Sequence, residues 1–188
     1  MKKKKKTRQL IRNPGLPPGT LVFTGEKKVD ASNVIMIQYS EEHLVEKSLK
    51  DDLPPPELNN FITWYDVKGL HNVSLIERLG QLYNIHSLIL EDVLDTQQRP
   101  KFEEYEDGIF IILHAITFDR DTRETQTEHI AIFAGHNFLL SFQEKDDDTF
   151  APVRERIRTA SGRIRKRGSD YLAYALADSV VDHYFIVL

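Results

Sequence analysis

The sequence predicts an α/β layer domain followed by a helical extension. Three observations carry this expectation. Up to about residue 148, β-branched and aromatic runs alternate with amphipathic helical patterns, the mixture that covers a sheet with helices. Beyond Asp146-Asp147-Asp148 only helical patterns follow. The 188 residues are 40% hydrophobic, with ten Phe, seven Tyr and one Trp, which is enough apolar surface for a sizeable core.

Residues 1–18 read as a basic, disordered tail, because Asn13-Pro14-Gly15-Leu16-Pro17-Pro18 cannot continue a helix. Leu21-Val22-Phe23 and the run Val34 to Tyr39 are rich in β-formers and predict strands. Ser40 is placed as the N-cap of a short helix that Pro54-Pro55-Pro56 ends. Phe61 to Val67 predicts another strand. Leu75, Ile76, Leu79 and Leu82 share one face of a helix over 73–83, and a second short helix spans 86–94. Strands follow over 101–107, 108–119, 125–135 and 138–145, with Gly108 and Gly135-His136-Asn137 at turns. Thr149 to Thr159 reads as a helix, Gly162 interrupts it, and Ser169 caps a long helix without a C-terminal stop signal. The expected division is tail 1–18, α/β domain 19–148 and helical segment 149–188, with the last helix cut from something longer.

Charge and motif content exclude several classes. The net charge of −4 conceals seven basic side chains in residues 1–13, which leave 18 basic against 29 acidic residues in the body, about −11. The tail lacks an apolar segment behind it, so it is no secretory signal; a solvated tail or a juxtamembrane basic patch are its two readings. Without cysteine there is no disulfide framework, zinc-thiolate site or cysteine nucleophile. No apolar run approaches the ~20 residues that span a bilayer, so the chain reads as soluble. GxxxxGK[ST], GxGxxG, GxSxG and HExxH are all absent, and no enzymatic constellation stands out. His86, His114 and His129 are expected to be structural. The segment 154–167 carries seven basic residues against Glu155, but it lacks interleaved aromatics and the body is acidic. It is expected to pair with the domain's own carboxylates or a neighbouring subunit rather than with nucleic acid.

The carboxylates are more informative. Glu91-Asp92 closes a short helix, and Asp178 with Asp182 lies at i, i+4 on the long one, where like charges repel. A divalent ion would convert that repulsion into attraction, and Mg²⁺ needs only one or two carboxylates beside its water. Spacing alone leaves a solvated acidic face as the simpler alternative.

Trp64-Tyr65-Asp66-Val67-Lys68-Gly69-Leu70 resembles the W-x-D-x-x-G-L strand of CorA-type magnesium and cobalt transporters, and 86-HSLILEDVL-94 resembles their H-P-L-x-x-E-D-x-L helix. Gln98-Arg99-Pro100-Lys101, Phe102-Glu103-Glu104-Tyr105, Phe142-Gln143-Glu144, the arginines from Arg154 to Arg158 and Asp170-Tyr171-Leu172 through Asp182-His183-Tyr184-Phe185 continue the likeness over roughly 60–188. The resemblance implies an α/β/α sandwich with a mixed, largely antiparallel sheet, followed by the start of a long stalk helix. It implies the cytoplasmic regulatory domain of a homopentameric Mg²⁺/Co²⁺ channel in the cell membrane, in which loss of Mg²⁺ between subunits opens the gate. By matching position, Asp92 would be the main inter-subunit ligand, and Glu91 with Asp178 would form a second, more peripheral site. Ser87 stands where the family has Pro, which should alter helix entry but not the acids. The pore motif Gly-Met-Asn is absent from these 188 residues, and the stalk carboxylate expected opposite Asp92 would lie beyond Leu188. A zinc-transporting relative and a stand-alone α/β metal-binding or oligomerisation module are the rival expectations.

Overall fold

The computed structural model describes residues 15–49, 53–54, 61–119, 123–146 and 148–187. Seven strands form one sheet: β1 (Asn33–Tyr39), β2 (Leu44–Leu49), β3 (Ile62–Lys68), β4 (Lys101–Tyr105), β5 (Gly108–Asp119), β6 (Glu124–Ala134) and β7 (Phe138–Gln143). Their order is β2-β1-β3-β7-β6-β5-β4. Every neighbouring pair is antiparallel except β3 and β7, which run parallel at the centre with Trp64 opposite Leu139. The sheet is therefore mixed and largely antiparallel, as expected.

Period-2 alternation sends each strand's side chains to two cores. On one face Tyr65, Val67, Phe110, Ile112, Phe133 and Phe142 pack against α1 (Val73–Leu82) and α2 (Ser87–Leu94). On the other, Trp64, Ile37, Ala115, Ile130, Ile132 and Leu139 pack against α3 (Ala151–Arg158) and α4 (Ser169–Val187). The result is an α/β/α sandwich. Leu172, Leu176 and Val180 of α4 are fully buried, so the helical segment after residue 148 supplies one of the two outer layers.

Local chemistry explains the helix starts. Asn72 caps α1 by accepting from the Leu75 amide at 3.2 Å, and the His86 Nδ1 does the same for α2 from Leu88 at 3.2 Å. No helix among the described residues is long and apolar enough to cross a membrane.

Three expectations are corrected. The segment after Ser40 is not a helix but the edge strand β2. Ser40 and His43 bond to each other across a tight turn, so Tyr39 faces Leu44 and the chain folds back on β1. Leu21-Val22-Phe23 is extended but unpaired in the sheet; Leu21 and Phe23 pack against the α1–α2 core. Ser169, read as a cap, is itself the first residue of α4, and its hydroxyl donates to the Gly135 carbonyl, with that of His136 at 3.1 Å. The serine thus fastens α4 to the β6–β7 turn. Of the basic tail, residues 1–14 lie outside the described residues.

Candidate metal-binding carboxylates

Helix α2 buries Ile89, Leu90, Val93 and Leu94 against the sheet, and helical spacing then leaves Glu91 and Asp92 on its outer side. One Asp92 oxygen, Oδ2, lies 2.6 Å from the Lys101 Nζ, and the other accepts from the side-chain amide of Gln98. Lys101 opens β4 and also reaches Glu103 Oε2 at 2.9 Å, which the Tyr105 hydroxyl meets at 2.7 Å. The ammonium sits over the Phe110 ring, 5.4 Å from its centroid. Burial works against the charge on Lys101, but its hydrogen bonds to Asp92 and Glu103 prevail and raise its pKa. The Tyr105 hydroxyl and then Lys101 hold the Glu103 carboxyl below its ordinary value.

Glu91 is held differently. Its Oε2 accepts the backbone N–H of Gly19 at 2.7 Å. Gly19 has φ +82°, and a Cβ there would stand 2.6 Å from the Ser87 Oγ, so only glycine lets the chain approach so closely. The same segment is tied down again at Thr24. Its amide donates to the Leu94 carbonyl at 3.1 Å, and its hydroxyl donates to Asp95 at 3.0 Å. Residues 19–24 thus form a strap along α2, from Ser87 and Glu91 beside Gly19 to Leu94 and Asp95 beside Thr24.

Asp178 lies on the exposed side of α4, under the opposite face of the sheet. It lines an open groove of about 640 Å³ with Asp148, Thr149, Arg156, Asp182 and His183. The structure therefore brings Glu91 and Asp92 together and keeps Asp178 apart from both. Among the described residues, no three His, Asp or Glu side chains converge as metal ligands. The Asp92 carboxylate offers anionic oxygen, the ligand type hard cations take, and the Lys101 ammonium is paired with it.

A family model described as CorA-like Mg²⁺ transporter protein matches residues 59–188. The chain belongs to this family. It is 41% identical over 183 residues to the cobalt/magnesium transport protein CorA of Thermotoga maritima, covering 96% of this chain and 52% of that protein. The chain thus spans about half the length of that relative. The complete structure of the CorA magnesium transporter from Methanocaldococcus jannaschii superposes with a TM-score of 0.59 at 25% identity, over 80% of this chain and 45% of that one. The soluble domain of the same transporter gives 0.58 at 22% identity, over 79% and 56% of the two chains, a likeness of fold.

In this CorA-like chain the Trp64-to-Leu70 motif forms β3 and the turn after it. Asp66 is fully buried there and accepts from Arg154 at 2.7 Å and from Ser141 and Gln143 at 2.8 Å each. The Trp64 indole N–H donates to Ser141 at 2.9 Å, and the Arg154 guanidinium lies 5.9 Å from the Trp64 ring centroid. Burial pushes the Asp66 carboxyl upward against the pull of Arg154. The motif is accordingly a buried clamp between β3, β7 and α3. Arg154 also pairs with Asp148 at the rim of the Asp178 groove.

Sequence reasoning did not assign roles to Lys101, Gln98 or Gly19. Lys101 stands nine positions after Asp92 beyond a proline turn, a separation with no helical or strand period behind it.

Proposed function

We propose that the chain is the cytoplasmic, divalent-cation-sensing part of a CorA-like Mg²⁺/Co²⁺ channel in the cell membrane, assembled in the whole protein as a homopentamer. Asp92 is the principal ligand, facing a neighbouring copy. Glu91 of one copy and Asp178 of the next form a second, more peripheral site. The observation that carries this reading is the state of Asp92: its carboxylate closes a helix, is about one-fifth exposed and already holds a cation at 2.6 Å. The position of Asp178 supports the same reading. It lies across the sheet from Glu91, so the two acids can share an ion only between copies.

An ion bound between copies stabilises the arrangement that binds it better, in proportion to its differential affinity. At a hundred times the dissociation constant this linkage is worth about 2.7 kcal/mol per site. Mg²⁺ suits a site with few carboxylates because it keeps most of its water, and Co²⁺ binds the same oxygens. Removal of the ion frees the copies to shift relative to one another, which is the regulatory step.

Calorimetric titration of the chain with MgCl₂, alongside sedimentation, tests the site. Asp92→Ala and Asp178→Ala should each weaken Mg²⁺ binding, and Mg²⁺ should raise the associated fraction of the unsubstituted chain. Unchanged binding in both variants would overturn the assignment.

A further inference from the structure

We propose that Lys101 sets the affinity and the selectivity of the cation site at Asp92, as a tethered ammonium that a divalent ion displaces and a monovalent ion does not. The inference rests on the assignment of Asp92 as a ligand.

The geometry makes Lys101 a competitor for the same oxygen. Its Nζ lies 2.6 Å from Asp92 Oδ2, and the pair is mostly buried, with the two side chains 20% and 25% exposed. The ammonium stays within reach, because Lys101 pairs in register with Ile112 at the start of β4 and its charge rests over the Phe110 ring. Any ion arriving at Asp92 meets a resident positive charge delivered by the chain itself.

Charge then decides which ions succeed. A potassium or sodium ion carries the same single charge as the ammonium. The exchange would leave the Coulomb attraction unchanged and give up a directed, charge-assisted hydrogen bond. A divalent ion doubles that attraction. Lys101 thereby filters out the monovalent ions that bare carboxylates would attract.

The displaced ammonium also has somewhere to go. Glu103 Oε2 lies 2.9 Å from Nζ, and the Tyr105 hydroxyl steadies that carboxylate at 2.7 Å. Lys101 bridges Asp92 and Glu103 when the ion is absent and keeps Glu103 alone when the ion arrives. Its charge is never left unpartnered, which keeps the exchange reversible. Gln98, on the other Asp92 oxygen, holds the carboxylate oriented throughout.

Titration with MgCl₂ at constant ionic strength tests this, once with KCl as background and once with tetramethylammonium chloride, whose cation is too bulky to enter the site. Lys101→Met keeps an apolar stem over Phe110 and should bind Mg²⁺ roughly tenfold tighter, the size of one charge-assisted hydrogen bond. Its affinity should fall in KCl relative to tetramethylammonium, whereas the unsubstituted chain and Lys101→Arg should read the same in both. Asp92→Asn should weaken Mg²⁺ binding in every background and remove the difference between backgrounds. If Lys101→Met binds no tighter while Asp92→Asn still weakens binding, Lys101 is not the competitor and the Asp92 assignment stands. If Asp92→Asn changes nothing, the assignment falls and this inference falls with it. A second readout needs no variant: in ¹⁵N-labelled chain, MgCl₂ should move the Lys101 ammonium resonance and KCl should not. A resonance unmoved at saturating MgCl₂ overturns the proposal.

Discussion

His129 lies on β6 opposite His114 and is 1% exposed. Desolvation lowers its pKa from the ordinary 6.5 to about 4, although the nearby Glu144 carboxylate pulls the other way and His114 adds to the lowering. The folded protein therefore holds a neutral imidazole where the unfolded chain takes up a proton. Stability from this residue is complete above pH 6.5 and is lost as pH falls toward 4, by about 3 kcal/mol in total. Denaturant midpoints measured between pH 7 and 4 should fall less steeply for His129→Leu than for the unsubstituted chain; parallel curves would deny His129 this role. Asp66 follows a different logic at the same scale. Its carboxylate is buried but meets Arg154, Ser141 and Gln143, so removing Arg154 alone would strand a charge, whereas the pair together is close to neutral for stability.

The strap over α2 is the informative case among the elements. Residues 19–24 belong to no strand, yet they bond to Glu91, Leu94 and Asp95 at the end of the helix that carries the candidate ligands. Gly19→Ala adds left-handed strain of roughly 1–2 kcal/mol and a clash with Ser87. It should lift the strap, so that exchange accelerates at the Thr24 amide and at the Thr96 amide, which donates to the Thr24 hydroxyl at 3.2 Å. Gly15→Ala is the matched control: φ is +104°, but nothing lies within 4 Å of the added methyl, so strain acts there without contact and the Thr24 and Thr96 amides should stay protected. Equal acceleration in both variants would remove the contact from the argument. Strand β2 teaches the converse lesson. Val45, Glu46, Lys47 and Ser48 are exposed, so the strand has almost no alternation to read, and it exists because β1 offers it a backbone ladder.

For the whole molecule, the decisive fact is that α2 and α4 cover opposite faces of one sheet. Glu91 and Asp178 cannot meet within a copy, and this makes a complementation test possible. Glu91→Ala and Asp178→Ala chains should each lose the peripheral Mg²⁺ response alone. Mixed in equal amounts, they should recover part of it, because the intact Asp178 of the first can face the intact Glu91 of the second. No recovery on mixing would mean that the two acids do not share an ion. The sandwich itself was largely legible in advance: the runs around Trp64, Ile109–Leu113 and Ile130–Phe133 alternate or are wholly apolar, and helical spacing marked α1, α2 and α4. The candidate site was legible only in part, since Glu91 and Asp92 announce themselves as an acidic pair at a helix end while their partners do not.

What the sequence determined by itself was the type of each strongly periodic element and which side of it is apolar, because burial imposes periods of 2 and 3.6 that can be read locally. It also carried enough motif to declare the family. What only the tertiary structure decided was which surfaces meet. Lys101 reaches Asp92 across a proline turn, Gly19 reaches Glu91 across 72 positions, and Arg154 reaches Asp66 across 88. Such partners leave no periodic trace, because the free energy that selects them comes from packing whole layers against the sheet rather than from any neighbour in the chain.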